Sequence, residues 1–521
     1  MRCFHGVDSD SNSLGGTIKK NHIISTVFSV TGLLIVSKLL GFVKQMVTAS
    51  AFGATLETDL INLSQGLIGN IQYLLVQSVL SALIAVYLHT AQQGEDASRH
   101  FAFDVWKALT VFTAMVVLFV ELCAPWLARL IAPSYPAEQI VQLSRYLRLF
   151  APVLLLLTWI AVFNGLLHAN KHFVPGEMIS VHQSIFLIVL AAALARTLGV
   201  QVLVLSFFAY NLWNAGYMAI LSRRYWTVSR GNPFRNPAVQ ELLRMMGPLL
   251  LGYSLVYINQ MVDKMLVSGL EAGAVTALNY AAVLSNLVST FITTFASMLF
   301  AYVTTRIAVG DADGAAQLTE RAALLLSVIF LPISILTVLL SEEIVTIVYA
   351  RGAFDAESVR ICAQALRGYA LMFVPLVFRE VYSRFQYGHQ DSKRPMVNSS
   401  IGIALNIVLS VALCPRYGVL GVAFATSMSV VVCGVLNMCS ARKLSTALSF
   451  RPYLRLLPFL ALCGAVCGVI ARFSATHLAA QNALLRFALS ALIGMAAYAV
   501  CASPLLLRLW RQLRQNDSSK S

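Results

Sequence analysis

Apolar runs of about 20 residues, each able to span roughly 30 Å of hydrocarbon as a helix, recur from one end of this 521-residue chain to the other. That recurrence leaves few folds open. Lipid offers no partner to a backbone N–H or C=O, so a spanning segment must be a helix or a strand of a closed barrel. The runs here are too long for barrel strands and do not alternate apolar with polar residues. An all-α integral membrane protein of about fourteen transmembrane helices is therefore expected. Hydrophobic residues make up 58% of the chain and charged residues 12%, against about 25% charged in soluble domains.

The spans fall at roughly 23–49, 59–88, 104–131, 147–168, 179–197, 199–221, 243–269, 275–305, 322–340, 359–387, 396–413, 418–439, 454–472 and 484–507. The polar segment before the first span is read as a tail. The first apolar run is too long for a secretory-leader core and lacks a small-residue cleavage site. The nine cysteines form no Cys-x-x-Cys pair and no Cys/His cluster with ligand spacing. Cys433, Cys439, Cys463 and Cys467 lie inside spans, where a thiol serves as a small apolar residue. No metal and no cofactor are expected.

Basic residues in the loops set the orientation. Arg223, Arg224, Arg230 and Arg235 follow span 6, Arg442, Lys443 and Arg451 follow span 12, and Arg508, Arg511, Arg514 and Lys520 follow span 14. With an even number of spans all three groups share one side. The other side carries Glu57, Asp59, Glu342 and Glu343, with Arg145 and Arg148 as exceptions. Both termini are expected in the cytoplasm. The net charge of +15 is then ordinary positive-inside bias and does not indicate nucleic-acid binding.

A repeat is also visible. Lys44 is followed by Gly53 and Asp59 at nine and fifteen residues, and Lys264 by Gly273 and Asn279 at the same distances. Spans 1–2 thus match spans 7–8 at an offset of 220 residues. Parallel repeats of this kind relate two halves by an axis along the membrane normal, with a cavity near the midplane.

Charges inside spans are costly and usually face a protein interior or a water-filled cavity. Span 1 holds Lys38 and Lys44, with Lys38 the deeper. Span 2 presents Asp59, Asn62, Gln65, Gly66, Gly69 and Gln72 at three- and four-residue steps, one polar stripe. Span 7 carries Asp263 and Lys264, and span 8 presents Asn279, Asn286, Thr290, Thr293 and Ser297 on one face. These stripes are expected to line a hydrophilic cavity in which Lys38, Lys44 and Lys264 attract an anionic group. Two plainer readings compete: Gly, Ser and Thr stripes also serve as packing faces, and a Lys near a helix end snorkels to the interface. Asp263 and Lys264 are neighbours that do not face each other, so Asp263 is expected to pair with another helix. In span 10, Glu380 and Arg384 are four apart and read as a structural pair. No catalytic motif appears, neither Gly-x-Ser-x-Gly, His-Glu-x-x-His nor a P-loop. An enzyme is not expected.

Several segments carry a resemblance in order. Ser37-Lys38-Leu39-Leu40-Gly41-Phe42-Val43-Lys44, then Phe52-Gly53-Ala54 and Thr58-Asp59, open the series. Asp263-Lys264-Met265-Leu266-Val267-Ser268 and Ala277-Leu278-Asn279-Tyr280-Ala281 follow, then Tyr349-Ala350-Arg351-Gly352-Ala353-Phe354-Asp355-Ala356. Gly388-His389-Gln390-Asp391-Ser392-Lys393-Arg394-Pro395 and Gly418-Val419-Leu420-Gly421-Val422-Ala423-Phe424-Ala425-Thr426-Ser427 complete it. From about residue 25 to 505 the chain resembles the MurJ/MviN family of lipid II flippases.

The resemblance implies two six-helix lobes plus two C-terminal helices. The expected divisions are 1–22, a cytoplasmic tail; 23–221, a first lobe; 222–242, a basic linker; 243–440, a second lobe; 441–507, helices 13 and 14; and 508–521, a cytoplasmic tail. It also implies transfer of an undecaprenyl-pyrophosphate-linked glycan across the cytoplasmic membrane by alternating access. The partners it implies are that polyprenyl-pyrophosphate glycolipid, membrane lipids and cell-envelope synthesis proteins. Helices 13 and 14 are expected to offer a groove for the polyprenyl tail. The family's helix 1 arginines correspond to Lys38 and Lys44, and its helix 2 aspartate to Asp59.

The chain departs from the family at the cavity. A helix 2 arginine falls at Gln72, a nearby acidic residue at Gln77, and a helix 8 Asp-Arg pair at Ala282 and Val283. Lys in place of Arg also loses the planar fork that grips phosphate in two places. An exopolysaccharide or O-antigen repeat unit is therefore kept beside lipid II as cargo. Two rivals of other classes remain. A multidrug antiporter of the related extrusion type predicts deep cavity carboxylates, and a non-transport scaffold in envelope assembly predicts lobes retained with cavity charges lost.

Overall fold

The computed structural model describes residues 32–34, 36–449, 451–477 and 483–518. The N-terminal tail and the start of span 1 lie outside them. Helices follow one another as α1 (Gly32–Phe52), α2 (Leu56–Gln93), α3 (Glu95–Ile131), α4 (Ala137–Phe150), α5 (Val153–Ala169), α6 (Val174–Leu198), α7 (Gln201–Ser222) and α8 (Pro237–Val267). They continue as α9 (Ala274–Ala308), α10 (Ala312–Leu339), α11 (Ser341–Tyr349), α12 (Ala356–Ala370), α13 (Phe373–Gly388), α14 (Lys393–Arg442), α15 (Arg451–His477) and α16 (Ala483–Ser518). Among the described residues there is no strand.

By length and composition ten helices suit a crossing, or eleven when the bent pair α12 and α13 counts as one. The difference from fourteen has physical causes. α7 and α8 fall outside that set; α7 carries Asn211 and Asn214 at mid-helix, and α8 carries Asn259, Asp263 and Lys264 toward its C-terminal end. α14 counts once although Gly418, at φ 56° and ψ −135°, breaks it between the two expected spans. The break needs glycine, because a side chain in that left-handed region is strained.

The chain forms two compact units, divided inside helices rather than at loops. The first holds the described residues of 32–48, 64–124 and 145–253; the second holds those of 49–63, 125–144 and 254–518. In the first, α7 packs between α5 and α6. Its outer surface is apolar: Met115, Leu118, Leu122 of α3 and Leu212 and Ile220 of α7 are exposed. Such a surface is stable only in lipid, since water penalises it by about 25 cal/mol per Å².

In the second unit, α9, α10, α13 and α14 surround a core that includes Ile292, Phe330, Phe373, Tyr382 and Phe385. The pair α15 and α16 packs on α10 through Val328, Leu336, Cys467 and Tyr498. Gly464 and Gly468 lie against Ile335 and Leu339, where a Cβ would collide. Small residues here allow close helix approach, the usual basis of packing in lipid.

Candidate functional site

Asp59, near the start of α2, is buried at 1% exposure. Its two carboxylate oxygens accept backbone N–H groups from Gly273 at 2.8 Å and Thr276 at 2.7 Å. Those amides belong to the N-terminus of α9, where Gly273 stands at the cap position with φ 88° and no capping side chain. An α-helix leaves its first amides without partners and its N-terminus favours negative charge. Asp59 supplies both needs from a distant part of the chain. Asn62, one turn on, donates to Thr276 Oγ1 at 2.9 Å. Expected as a cavity residue, Asp59 thus has its oxygens occupied by backbone.

Three turns of the second unit meet around this anchor. Ala353 N–H donates to Ser50 C=O at 2.8 Å. Gly53 and Gly273 have positive φ, as does Gly352. A Cβ at each would run into the backbone oxygen of Ala353, Ala54 and Ser50 respectively. The glycines are there because backbone lies where a side chain would stand. Tyr280, Tyr349 and Phe354 cluster beside the turns in tilted and edge-on contacts, with centroids 4.9 to 5.7 Å apart. Burial, and then the nearby Asp59 charge, push the Tyr135 hydroxyl well above the usual phenol range.

Asp263 of α8 is also buried. Ser410 Oγ of α14 lies 3.0 Å from Asp263 Oδ1 and 3.2 Å from Asn406 Oδ1. Asn406 in turn donates to Asn259 Oδ1 at 2.9 Å. Asp263 is thus paired with another helix through hydroxyl and amide groups. Asn259, Asn406 and Ser410 escaped the sequence reading; the four-residue step from Asn406 to Ser410 was the available signal.

Lys264 is half-buried, as is Lys44 of α1 in the first unit, while Lys38 is exposed. Among the described residues none of the three has a carboxylate within ion-pair range. Gln72, also in the first unit, is half-buried. In the second unit Asn279 is half-buried and Asn286 is exposed. The hydroxyls that continue this α9 stripe turn back on their own helix: Thr290 donates to Asn286 C=O at 2.7 Å and Ser297 to Thr293 C=O at 2.8 Å. Glu380 meets Arg384 at 3.5 Å, but Arg379 is closer at 2.8 Å. No group of His, Cys, Asp and Glu fit to hold a metal occurs among the described residues. The chemistry on offer is attraction of anions and hydrogen bonding by amides.

The family model described as "Lipid II flippase MurJ" matches residues 48–490. A protein of Rickettsia prowazekii named as a probable lipid II flippase is 22% identical over 409 residues, covering 76% of this chain and 79% of its own. A solved lipid II flippase in an inward closed conformation aligns with a TM-score of 0.79 at 19% identity, covering 92% of this chain and 99% of that one. A multidrug transporter of the MATE family in an inward-facing conformation aligns less well, at 0.59 and 13% identity over 79% of this chain and 95% of its own. These structural likenesses concern the fold.

Proposed function

The chain belongs to the MurJ family of lipid II flippases, and from that premise we propose that it carries an anionic, polyprenyl-pyrophosphate-linked glycan across a bacterial cytoplasmic membrane by alternating access. One observation carries the substrate's charge. Lys44 and Lys264 hold equivalent places in the repeat, are half-buried in α1 and α8, which this reading takes as spans, and have no carboxylate partner among the described residues. A cation in a span without a counter-ion is costly, and a pyrophosphate relieves that cost. Lys38, Lys44 and Lys264 are, in this reading, the cations that meet the pyrophosphate during transfer. Gln72, Asn279 and Asn286 offer amides to sugar hydroxyls. Lys offers three donors without a fixed plane, so it holds phosphate as a point charge. That grip is looser than a guanidinium fork, which suits a cargo that must be released.

Asp59 and Asp263 take other parts. Asp263 fixes α8 to α14. Asp59, with the three glycine turns, is the latch on the side that the loop charges assign to the outside. Opening that side requires giving up two amide bonds to a carboxylate, each worth about 1.5–3 kcal/mol. Charge moved across the bilayer responds to membrane potential by about 2.3 kcal/mol per elementary charge per 100 mV. Both termini stay in the cytoplasm.

Complementation of a bacterium depleted of its own lipid II flippase tests the reading. The wild-type chain restores growth, Lys44→Ala with Lys264→Ala does not, and Lys44→Arg retains it. Full growth with the doubly substituted chain, at normal membrane abundance, would remove the cationic site. Failure of the wild-type chain to restore growth, with transfer of another polyprenyl-pyrophosphate glycan in reconstituted vesicles, would reassign the cargo and make Gln72, Ala282 and Val283 the reason.

A further inference from the structure

The first unit contains a cleft unrelated to the lysines. It encloses about 330 Å³ and is lined by Phe103 and Trp106 of α3, Trp159 and Phe163 of α5, Leu212 of α7 and Trp226 of the linker that follows α7. Rings dominate it: Trp106 lies 5.6 Å from Trp159, and Phe103 lies 5.8 Å from Trp226. The volume is in the range of small-ligand pockets. Leu212 is 64% exposed on the apolar outer surface of α7, so the cleft opens sideways where the surface requires lipid.

One feature goes beyond an apolar gap, and it is charge. Arg223, Arg230 and Arg235 of the same linker are exposed, and no ion pair engages them among the described residues.

The linker is not slack. Lys107 of α3 donates to the carbonyls of Ser229 at 2.9 Å and Gly231 at 2.7 Å. Asn236 donates to Asp104 at 3.0 Å, and Thr227 N–H to Arg99 C=O at 3.2 Å. These bonds hold the arginines beside the cleft that Trp226 helps to close.

We infer that this cleft is a binding site for an anionic phospholipid of the cytoplasmic leaflet. An acyl chain fills the aromatic walls, and the phosphate faces the linker arginines. Basic residues next to a bilayer attract anionic lipid at about 1 kcal/mol each, and tryptophan is favoured where an apolar body meets a polar edge. A zwitterionic lipid fills the cleft but leaves the arginines without a net counter-charge. An anionic lipid satisfies both.

The test uses the full chain with Trp126→Phe, Trp213→Phe and Trp510→Phe, which leaves Trp106, Trp159 and Trp226 as the only indoles. It is reconstituted into phosphatidylcholine vesicles containing graded amounts of phosphatidylglycerol brominated on its acyl chains. Fluorescence is expected to fall along a saturating curve, with half-quenching at a severalfold lower mole fraction than for brominated phosphatidylcholine. Unbrominated phosphatidylglycerol reverses the quenching. Combined Arg223→Gln, Arg230→Gln and Arg235→Gln abolish the preference, and Ala219→Phe, which fills the cleft, weakens quenching by both lipids. Equal, non-saturating quenching by the two lipids overturns the site. A preference that survives the arginine substitutions overturns the headgroup assignment. Reversal by polyprenyl phosphate but not by phosphatidylglycerol gives the cleft to the transported lipid instead.

Discussion

The two copies of the span–turn–span repeat begin their second helices in different ways. At α2 the cap is local. Thr55 and Thr58 exchange bonds, Thr55 N–H to Thr58 Oγ1 at 2.8 Å and Thr58 N–H to Thr55 Oγ1 at 3.3 Å. This is a capping box, in which the cap residue and the third helical residue satisfy each other's amides. At α9 the same two amides, of Gly273 and Thr276, are satisfied by one carboxylate 214 residues away in sequence from the first of them. A local cap stabilises a helix. A borrowed cap stabilises a contact, because the helix end is complete only while Asp59 is in place. The repeat was therefore kept in its glycine turns and broken in its capping.

Substitutions separate the two kinds of cap. The largest effect is expected at Gly273. Valine there meets both a positive φ of 88° and the Ala54 carbonyl. The backbone term alone costs about 1–2 kcal/mol, and the displaced turn carries the Asp59 anchor with it. Gly273→Val is expected to give no folded protein in detergent, judged by size-exclusion chromatography. A monodisperse product with wild-type thermal stability would show that the turn has room to spare.

Asp59→Ala comes next. It leaves two buried amides without acceptors, about 1–3 kcal/mol each, and removes the charge from the helix end. The expected result is a lowered unfolding midpoint together with increased labelling of a cysteine placed at Ala54 from the outer side. Asp59→Asn keeps one acceptor and falls between. An Asp59→Ala chain with normal stability and no transport would instead return Asp59 to the substrate.

Thr55→Ala removes only the local acceptor. The expected loss is about 1 kcal/mol, with no change in labelling at Ala54. Equal labelling in Thr55→Ala and Asp59→Ala would erase the distinction between local and borrowed caps.

This distinction marks what the sequence can and cannot carry. Hydropathy places helices because the bilayer penalises every alternative, so helix covers most of the described residues of each of the fourteen expected segments, with turns at Ala151 and Pro152 and at Leu371 and Met372 inside two of them. Lys44 and Lys264 were legible because a charge inside an apolar run stands out. The role of Asp59 was not, since its partners are backbone amides that any residue possesses. The α9 stripe shows the same limit. Its Thr and Ser hydroxyls share one face, and Thr290, Thr293 and Ser297 donate to carbonyls of their own helix. Face and partner are different properties, and periodicity reports only the first. The Trp226 cleft was invisible because its walls come from α3, α5, α7 and a linker.

The smallest effect concerns a third cap, local like that of α2 but charged. Asp355 precedes α12 and accepts from Ser358 N–H at 2.8 Å. That bond holds the Asp355 carboxyl below the ordinary carboxylate range. A depressed folded-state value means that the stabilisation is full above the unfolded value, about 3.9, and is lost as pH falls through the folded value. Asn caps a helix as well as Asp does, so Asp355→Asn removes only the charge at the helix end. The side chain is exposed and salt screens it, which limits the loss to a few tenths of a kcal/mol. The unfolding midpoint of wild type is expected to exceed that of Asp355→Asn slightly at pH 7, and the gap to close below about pH 4 or in high salt. A gap independent of both pH and salt would mean that shape, not charge, makes the α12 cap. Charge would then be decisive only at α9, where Asp59 is buried.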